Sequence, residues 1–368
     1  MHSILSSALF LSVVPSVFAV KSCVFTKHEQ IASGLSKCKN IRLQGIVAPT
    51  NNSIDLSNLQ DNSVVTFAGK TSFAPTKFKS FRPIVFRGKN VTITMAPGGV
   101  IDGGGQVYWD SLGSNGGGPK PNTFFNVTLT GGSVIENLNI INLPVHGFSI
   151  ENSSDLTIRN VTIDNRAGDA PNAISNGKAA AHNTDGFGVR SSKNIKIEHC
   201  TVHNQDDCVA VTSGNNITVT GVICTGSHGM SIGSVGGKAD NEVANVLFKD
   251  SSLTKSSNGL RIKSNFNTTG HIANITFQNI VMSYVSSYGI VIQQDYLNGG
   301  PTGHPSNGVL IENIFFKNIT GTQGDPLSVN YYVLCGEGSC KNFKFENVKI
   351  TGGNNVSTCN FPETGCPK

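Results

Sequence analysis

Asn194-Ile195-Lys196-Ile197-Glu198-His199-Cys200-Thr201-Val202 reads as two short strands joined by a polar pair. Ile195 and Ile197, then Cys200 and Val202, alternate with polar neighbours, and a period of two puts the apolar side chains on one face. The pattern recurs as Asp155-Leu-Thr-Ile-Arg-Asn-Val-Thr-Ile163, Asn216-Ile-Thr-Val-Thr-Gly-Val-Ile-Cys224, Asn274-Ile-Thr-Phe-Gln-Asn-Ile-Val-Met282 and Asn342-Phe-Lys-Phe-Glu-Asn-Val-Lys-Ile350. Shorter copies begin at Asn137, Asn245 and Asn313. Successive copies start 18 to 39 residues apart, with 22 between Asn194 and Asn216. In an all-β chain, repeats of this length predict a solenoid in which each coil stacks on the last. The expected fold is a right-handed parallel β-helix, with a flat sandwich of hairpins as the competing arrangement. The corner between the strands needs a residue that tolerates left-handed backbone angles, and Asn or Gly supplies it.

In this register Cys200 takes the slot of Val161, Val222, Ile280, Ile319 and Val348, so it points into the core as a small apolar group. Ten Asn-X-Ser/Thr sequons occur, and several, such as Asn216, Asn274 and Asn318, coincide with the repeat. Those are expected to serve the fold, leaving only exposed ones open to glycosylation.

Composition agrees with a polar, uncharged solenoid. Of 368 residues, 14% are charged, 38% are hydrophobic and 41 are Gly, against roughly 25% charged in an average soluble domain. This excludes a helical bundle or coiled coil. A net charge of +5 and well-spread apolar residues exclude a disordered chain. Lys and Arg total 28 with no dense basic run, which argues against nucleic acid as a partner. No segment after the N-terminus is apolar enough to enter a membrane. Ile4 to Ala19 is apolar but too short to span a bilayer, and Val17-Phe18-Ala19 suits a signal peptidase. Residues 1–19 are therefore expected to be a signal peptide and 20–368 a single secreted domain. Nine cysteines fit that oxidising destination, and none has a zinc or haem spacing.

A solenoid needs covered ends. Thr26-Lys-His-Glu29 reads as a capping box, and Ile31, Ala32 and Leu35 would share one side of a short helix closing the N-terminal end. Long connections at Ser114 to Pro121, Arg166 to His182 and Leu297 to Gly308 are candidate walls of a cleft.

Residues one coil apart stack on the same wall. Asp185 and Asp207 are 22 residues apart, as are Asp206 and His228, which matches the local coil length. Arg261-Ile-Lys263 follows one coil plus an insertion later, and Gln293-Gln-Asp-Tyr296 follows at a similar distance. This predicts a column of three Asp, a His, an Arg, a Lys and a Tyr. Taken singly, Asp185 reads as a solvated turn residue, but the tandem Asp206-Asp207 gains nothing structurally from its like charges. Three acids suit calcium, yet Arg261, Lys263 and a protonated His228 would repel a cation. The pattern fits an acidic substrate undergoing acid–base chemistry, because clustered acids push one another's pKa apart.

Asn183-Thr-Asp185, Gln205-Asp-Asp207, Ser-His228-Gly running into Ser231-Ile-Gly-Ser-Val-Gly-Gly237, Arg261-Ile-Lys263 and Gln294-Asp-Tyr296 together resemble the polygalacturonases, specifically the fungal endo-acting ones, over nearly all of the mature chain. The resemblance implies a secreted hydrolase of α-1,4-galacturonosyl bonds in de-esterified homogalacturonan, inverting and without cofactor or metal. Asp206 would be the general acid, and Asp185 and Asp207 would activate water, with acid and base carboxyls roughly 6.5–9.5 Å apart. His228 would tune the acids, Arg261 and Lys263 would clamp galacturonate carboxylates, Tyr296 would contact the sugar and Asn183 would line the cleft. The resemblance also implies a monomer, plant inhibitor proteins as further partners, and disulfides joining the cysteines close in sequence: Cys23 with Cys38, Cys208 with Cys224, Cys335 with Cys340 and Cys359 with Cys366. Exo-acting and rhamnogalacturonan hydrolases share the scaffold, as would a non-catalytic pectin-binding paralogue. One departure stands out: the family usually has Gly where this chain has Ser227. A positive φ there would cost Ser on the order of 1 kcal/mol; otherwise its hydroxyl would bond near the acids.

Overall fold

The computed structural model describes residues 22–298 and 300–367, so the expected leader at 1–19 lies outside the described residues. The strands form one sheet of nineteen and one of eleven, and their ladders are parallel. Along the chain, strands of the smaller sheet alternate with one or two of the larger, so each turn of the chain adds a rung to both. That is a parallel β-helix, rising about 4.8 Å per coil.

The repeats pair as their apolar pattern requires. Leu156, Ile195, Ile217, Val246, Ile275, Ile314 and Phe343 are successive partners in one row. Two residues on, Phe248, Phe277, Phe316 and Phe345 stack ring on ring at 5.0–5.1 Å. Phe125, Phe148 and Phe187 stack likewise beneath the smaller sheet. Each fully buried aliphatic or aromatic side chain contributes about 1.5–3 kcal/mol, and stacking repeats that gain coil by coil.

The polar corners carry the backbone strain that the sequence assigns to them. Every repeat start, from Asn137 and Asp155 to Asn313 and Asn342, has φ between 54° and 60°. The second corner is left-handed too, at Asn160, His199, Gly221, Asp250, Asn279, Asn318 and Asn347. The Asn amides also ladder between coils: Asn216 donates to Asn194 at 2.8 Å, Asn274 to Asn245 at 3.0 Å and Asn318 to Asn279 at 3.0 Å. Three of the repeat sequons thus use their side-chain amides in these ladders, although all three residues are exposed.

All four close cysteine pairs form disulfides, and Cys200 is free and fully buried. Burial pushes its thiol up to about 11, which leaves it inert.

The N-terminal cap is a helix, Gln30–Gly34, continued by a 3-10 turn, Leu35–Lys37. The capping box does not form. Thr26 makes no side-chain cap, Glu29 is the first flanking residue, and Gln30 reaches back with Oε1 to the N–H groups of Thr26 and Lys27 at 2.8 and 3.0 Å. Ile31 and Leu35 are buried, but Ala32 is exposed, because the helix is too short to bury more than its one seam against the first coil.

Candidate active site

Each coil enters the smaller sheet through a turn, and four successive turns place His146, Asp185, Asp207 and His228 in one column. Phe148, Phe187, Val209 and Met230 are ladder partners, and the column lies two residues upstream of each. The backbone N–H groups of Gly147, Gly186 and Cys208 donate to the carbonyls of Asp185, Asp207 and Gly229 at 2.8, 3.0 and 2.9 Å. The expected step of 22 between Asp206 and His228 is corrected here. The ladder step from Val209 to Met230 is one residue shorter, so His228 stacks on Asp207 and reaches Asp206 sideways. Beyond the acids the outward row runs Gly188, Ala210, Ser231 and Arg261, small residues that leave the floor open up to the guanidinium.

One oxygen from each of Asp185, Asp206 and Asp207 lies within 4.8 Å of the other two. Their nearest oxygens are thus close enough for a single water to bond two of the acids. Each acid has its own donor. His146 Nδ1 meets Asp185 Oδ1 at 2.8 Å, and His228 Nδ1 meets Asp206 Oδ1 at 3.2 Å. Lys263 Nζ, with 8% of its side chain exposed, meets Asp207 Oδ2 at 2.8 Å. Ser231 donates its hydroxyl to Asp207 Oδ1 at 2.6 Å, and Asn183 donates its amide to Asp206 Oδ2 at 2.8 Å. A shared metal ion would have to displace an ammonium and two imidazoles, so the donor set does not suit one.

The charges differ within the trio. Burial and the neighbouring Asp206 charge push the Asp185 carboxyl above its ordinary value, with His146 opposing. Burial works upward on Asp206 too, but the His228 hydrogen bond and charge, with Lys263, outweigh it and hold that carboxyl well below the carboxylate range. Burial pulls His146 and His228 down, yet Asp185 and Asp206 respectively more than compensate, and both imidazoles bind protons more tightly than usual. Protons are thus favoured more than usual on Asp185 and on the two histidines.

Arg261 and Tyr296 stand on the far side of the acids. Tyr296 offers its ring to the Arg261 guanidinium and the Lys263 ammonium, each 5.3 Å from its centroid. Arg261 Nε is buried without a hydrogen bond, and among the described residues Arg261 forms no ion pair. Lys263, by contrast, is already engaged with Asp207. Cavities flank the trio. One of about 560 Å³ includes Asn115, Lys178, His182, His228 and Lys255; another of about 210 Å³ includes His146, Asp185, Arg190 and Lys238. Two of the long connections supply walls, and the third touches them through Asn298, whose amide donates to Asn115 at 3.0 Å.

All eight residues singled out in the sequence thus fall in one contiguous cluster. Ser227 behaves otherwise than expected on both counts. Positive φ falls on Gly226 and Gly229 and not on Ser227, whose buried hydroxyl bonds Ser256 Oγ at 2.8 Å and accepts from Gly229 N–H at 3.1 Å, away from the acids. Sequence reasoning missed His146, although a signal existed: His146-Gly147-Phe148 copies Asp185-Gly186-Phe187 one coil earlier. It also missed Asn204, whose buried amide donates to the carbonyls of Thr184, Asp206 and Asp207 at 2.9–3.1 Å and ties both acid-bearing turns together. No spacing marks that clip, since Asn is the commonest corner residue of this fold.

A β-helix with three interacting carboxyls, their proton-holding imidazoles and an unpaired guanidinium in one groove defines a glycoside hydrolase. The chain belongs to the glycosyl hydrolases family 28, whose model matches residues 38–367. It is 52% identical over 365 residues to a polygalacturonase of Fusarium fujikuroi, covering 99% of this chain and 98% of that one. It is 54% identical over 345 residues to a probable endopolygalacturonase D of Neosartorya fischeri, covering 94% and 72%. Among solved structures, endopolygalacturonase I from Stereum purpureum complexed with two galacturonate superposes with a TM-score of 0.77 at 29% identity, covering 90% and 95%.

Proposed function

We propose that this hydrolase is a secreted endo-polygalacturonase that cuts α-1,4 bonds of de-esterified homogalacturonan. The observation that carries the substrate class is the inequality of the cations. Among the described residues, Lys263 and both column histidines are matched by acids of the protein, while Arg261 has none and lies against the Tyr296 ring beside them. A bidentate guanidinium left unpaired beside acids suits a carboxylate brought by the substrate. Lys178 and Lys255 on one side and Lys238 on the other extend the attraction along a polymer. The polygalacturonase names of the relatives point the same way.

In this reading the proton held on the His228 side of the His228–Asp206 pair passes through Asp206 to the glycosidic oxygen as the C1–O bond breaks. A water held between Asp185 and Asp207 attacks C1 from the other face and gives up its proton to a carboxylate of that pair. Oxygens within 4.8 Å of one another can both bond a single water. Lys263 fixes Asp207 for that task, and Tyr296 and Asn183 line the sugar site.

The test is incubation of the protein from Val20 onward with polygalacturonate, following reducing ends, product sizes and the anomeric proton signals. Release of mixed oligomers whose first-formed ends are β supports an inverting endo-hydrolase. First-formed α ends mean retention, monomer alone means exo action, and binding without release means a pectin-binding paralogue.

A further inference from the structure

His146 stands one coil before Asp185 as His228 stands one coil after Asp207, so the acid column is closed by an imidazole at each end. Its Nδ1 lies 2.8 Å from Asp185 Oδ1, and Asp185 makes no other side-chain hydrogen bond among the described residues. The contact is sheltered, with 34% of the His146 side chain and 19% of Asp185 exposed. Nε2 of His146 has no protein partner among the described residues, and the ring lines the 210 Å³ cavity with Arg190, Lys238 and Ser149.

We propose that His146 is a positioning residue of the hydrolytic site, which as a cation aims Asp185 at the attacking water, keeps it ionised and so sets the acid limit of the enzyme's working range. The proposal rests on the function proposed above. The groups that face His146 make its role specific. Thr123 on the preceding coil is neutral, Asp185 is in contact, and Asp206 and Asp207 act from the coil beyond. Across the cavity, Arg190 is committed to Glu151 at 2.6 Å, and Lys238 is tied to the Ser234 carbonyl at 2.6 Å. Among the described residues His146 is therefore the one cation in contact with Asp185, whose other charged neighbours in the trio are like charges that disfavour its ionised form.

Removing that charge leaves Asp185 facing Asp206 and Asp207 alone, so it protonates at higher pH. His146→Gln keeps an amide donor but no charge. Its acid limb of kcat/KM is expected to move up by about 1 pH unit while the alkaline limb stays in place. His146→Ala, lacking the donor as well, should show the same displacement together with a lower kcat. A merely structural role would scale activity at all pH values alike. An acid limb of His146→Gln superimposable on the unsubstituted enzyme overturns the proposal. A second measurement needs no turnover: the His146 ring proton is titrated by NMR in the unsubstituted protein and in Asp185→Asn. A fall toward about 6.5 in the variant supports the pair, and an unchanged titration overturns it. Absence of any hydrolysis of polygalacturonate would instead defeat the functional reading while leaving the NMR result to judge the pair.

Discussion

Ser227 shows how little a residue's neighbourhood can be read from its neighbours in sequence. It precedes His228, yet its hydroxyl is buried on the far side of the turn, joined to Ser256 and to Gly229 N–H. Ser227→Gly would leave the Ser256 hydroxyl and that N–H without a partner. We expect a loss of about 1–3 kcal/mol in urea unfolding with kcat unchanged, since neither bond reaches an acid. Asp206→Asn is the contrasting case. It preserves the bond to Asn183 or its reverse but cannot carry the proton, so kcat should fall about 100- to 10,000-fold while oligogalacturonate binding, followed by calorimetry, persists. The acids themselves were legible because coil length is written in the repeat. Their partners were not, because His146 and Lys263 come from coils 39 residues before and 56 residues after the acids they bond.

Among the elements, the turns that carry the acids are held from behind. Asn204 clips three carbonyls, and Cys208, next to Asp207, is bonded to Cys224 on the following coil. Closing a loop of that size contributes about 3 kcal/mol. Replacing both cysteines by Ser should cost about that much and lower kcat, because the backbone that aims Asp207 is freed; equilibrium unfolding and kinetics read the two effects. Most of the left-handed corners were foreseeable because Asn, Asp and Gly take such angles most cheaply, whereas His199 gave no such signal. The N-terminal helix was foreseeable in place but not in detail. A capping box is a local preference, and here the Gln30 side chain took the Thr26 N–H that Glu29 would have capped, together with the Lys27 N–H beside it.

For the whole molecule, the protonation of the groove links stability to pH. His146 and His228 have folded values above their unfolded ones, so their stabilisation is complete below about 6.5 and fades as pH rises through the raised values. Asp185, also raised, loses stability as pH climbs above the ordinary carboxylate value. Lys238, lowered to about 8 by burial beside Lys263 and Arg190, is unchanged in charge over the acid and neutral range. Thermal unfolding should therefore occur at a higher temperature near about pH 5 than near about pH 7.5. Because the groove attracts its polymer by charge, KM for polygalacturonate should rise with salt as the screening length shortens to about 8 Å at physiological strength.

The sequence by itself determined the coil, its apolar rows, its Asn corners and the approximate height of each acid. All of these follow from period-two alternation and repeat length, which are local. Only the tertiary structure decided which charge meets which. It gave Lys263 to Asp207, His146 to Asp185 and His228 to Asp206, left Arg261 unmatched, and drew the three carboxyls within 4.8 Å. Those pairings depend on insertions that change coil length by single residues and on side chains reaching across coils. A repeat encodes the rung on which a residue sits, and packing selects the partner that its side chain finds there.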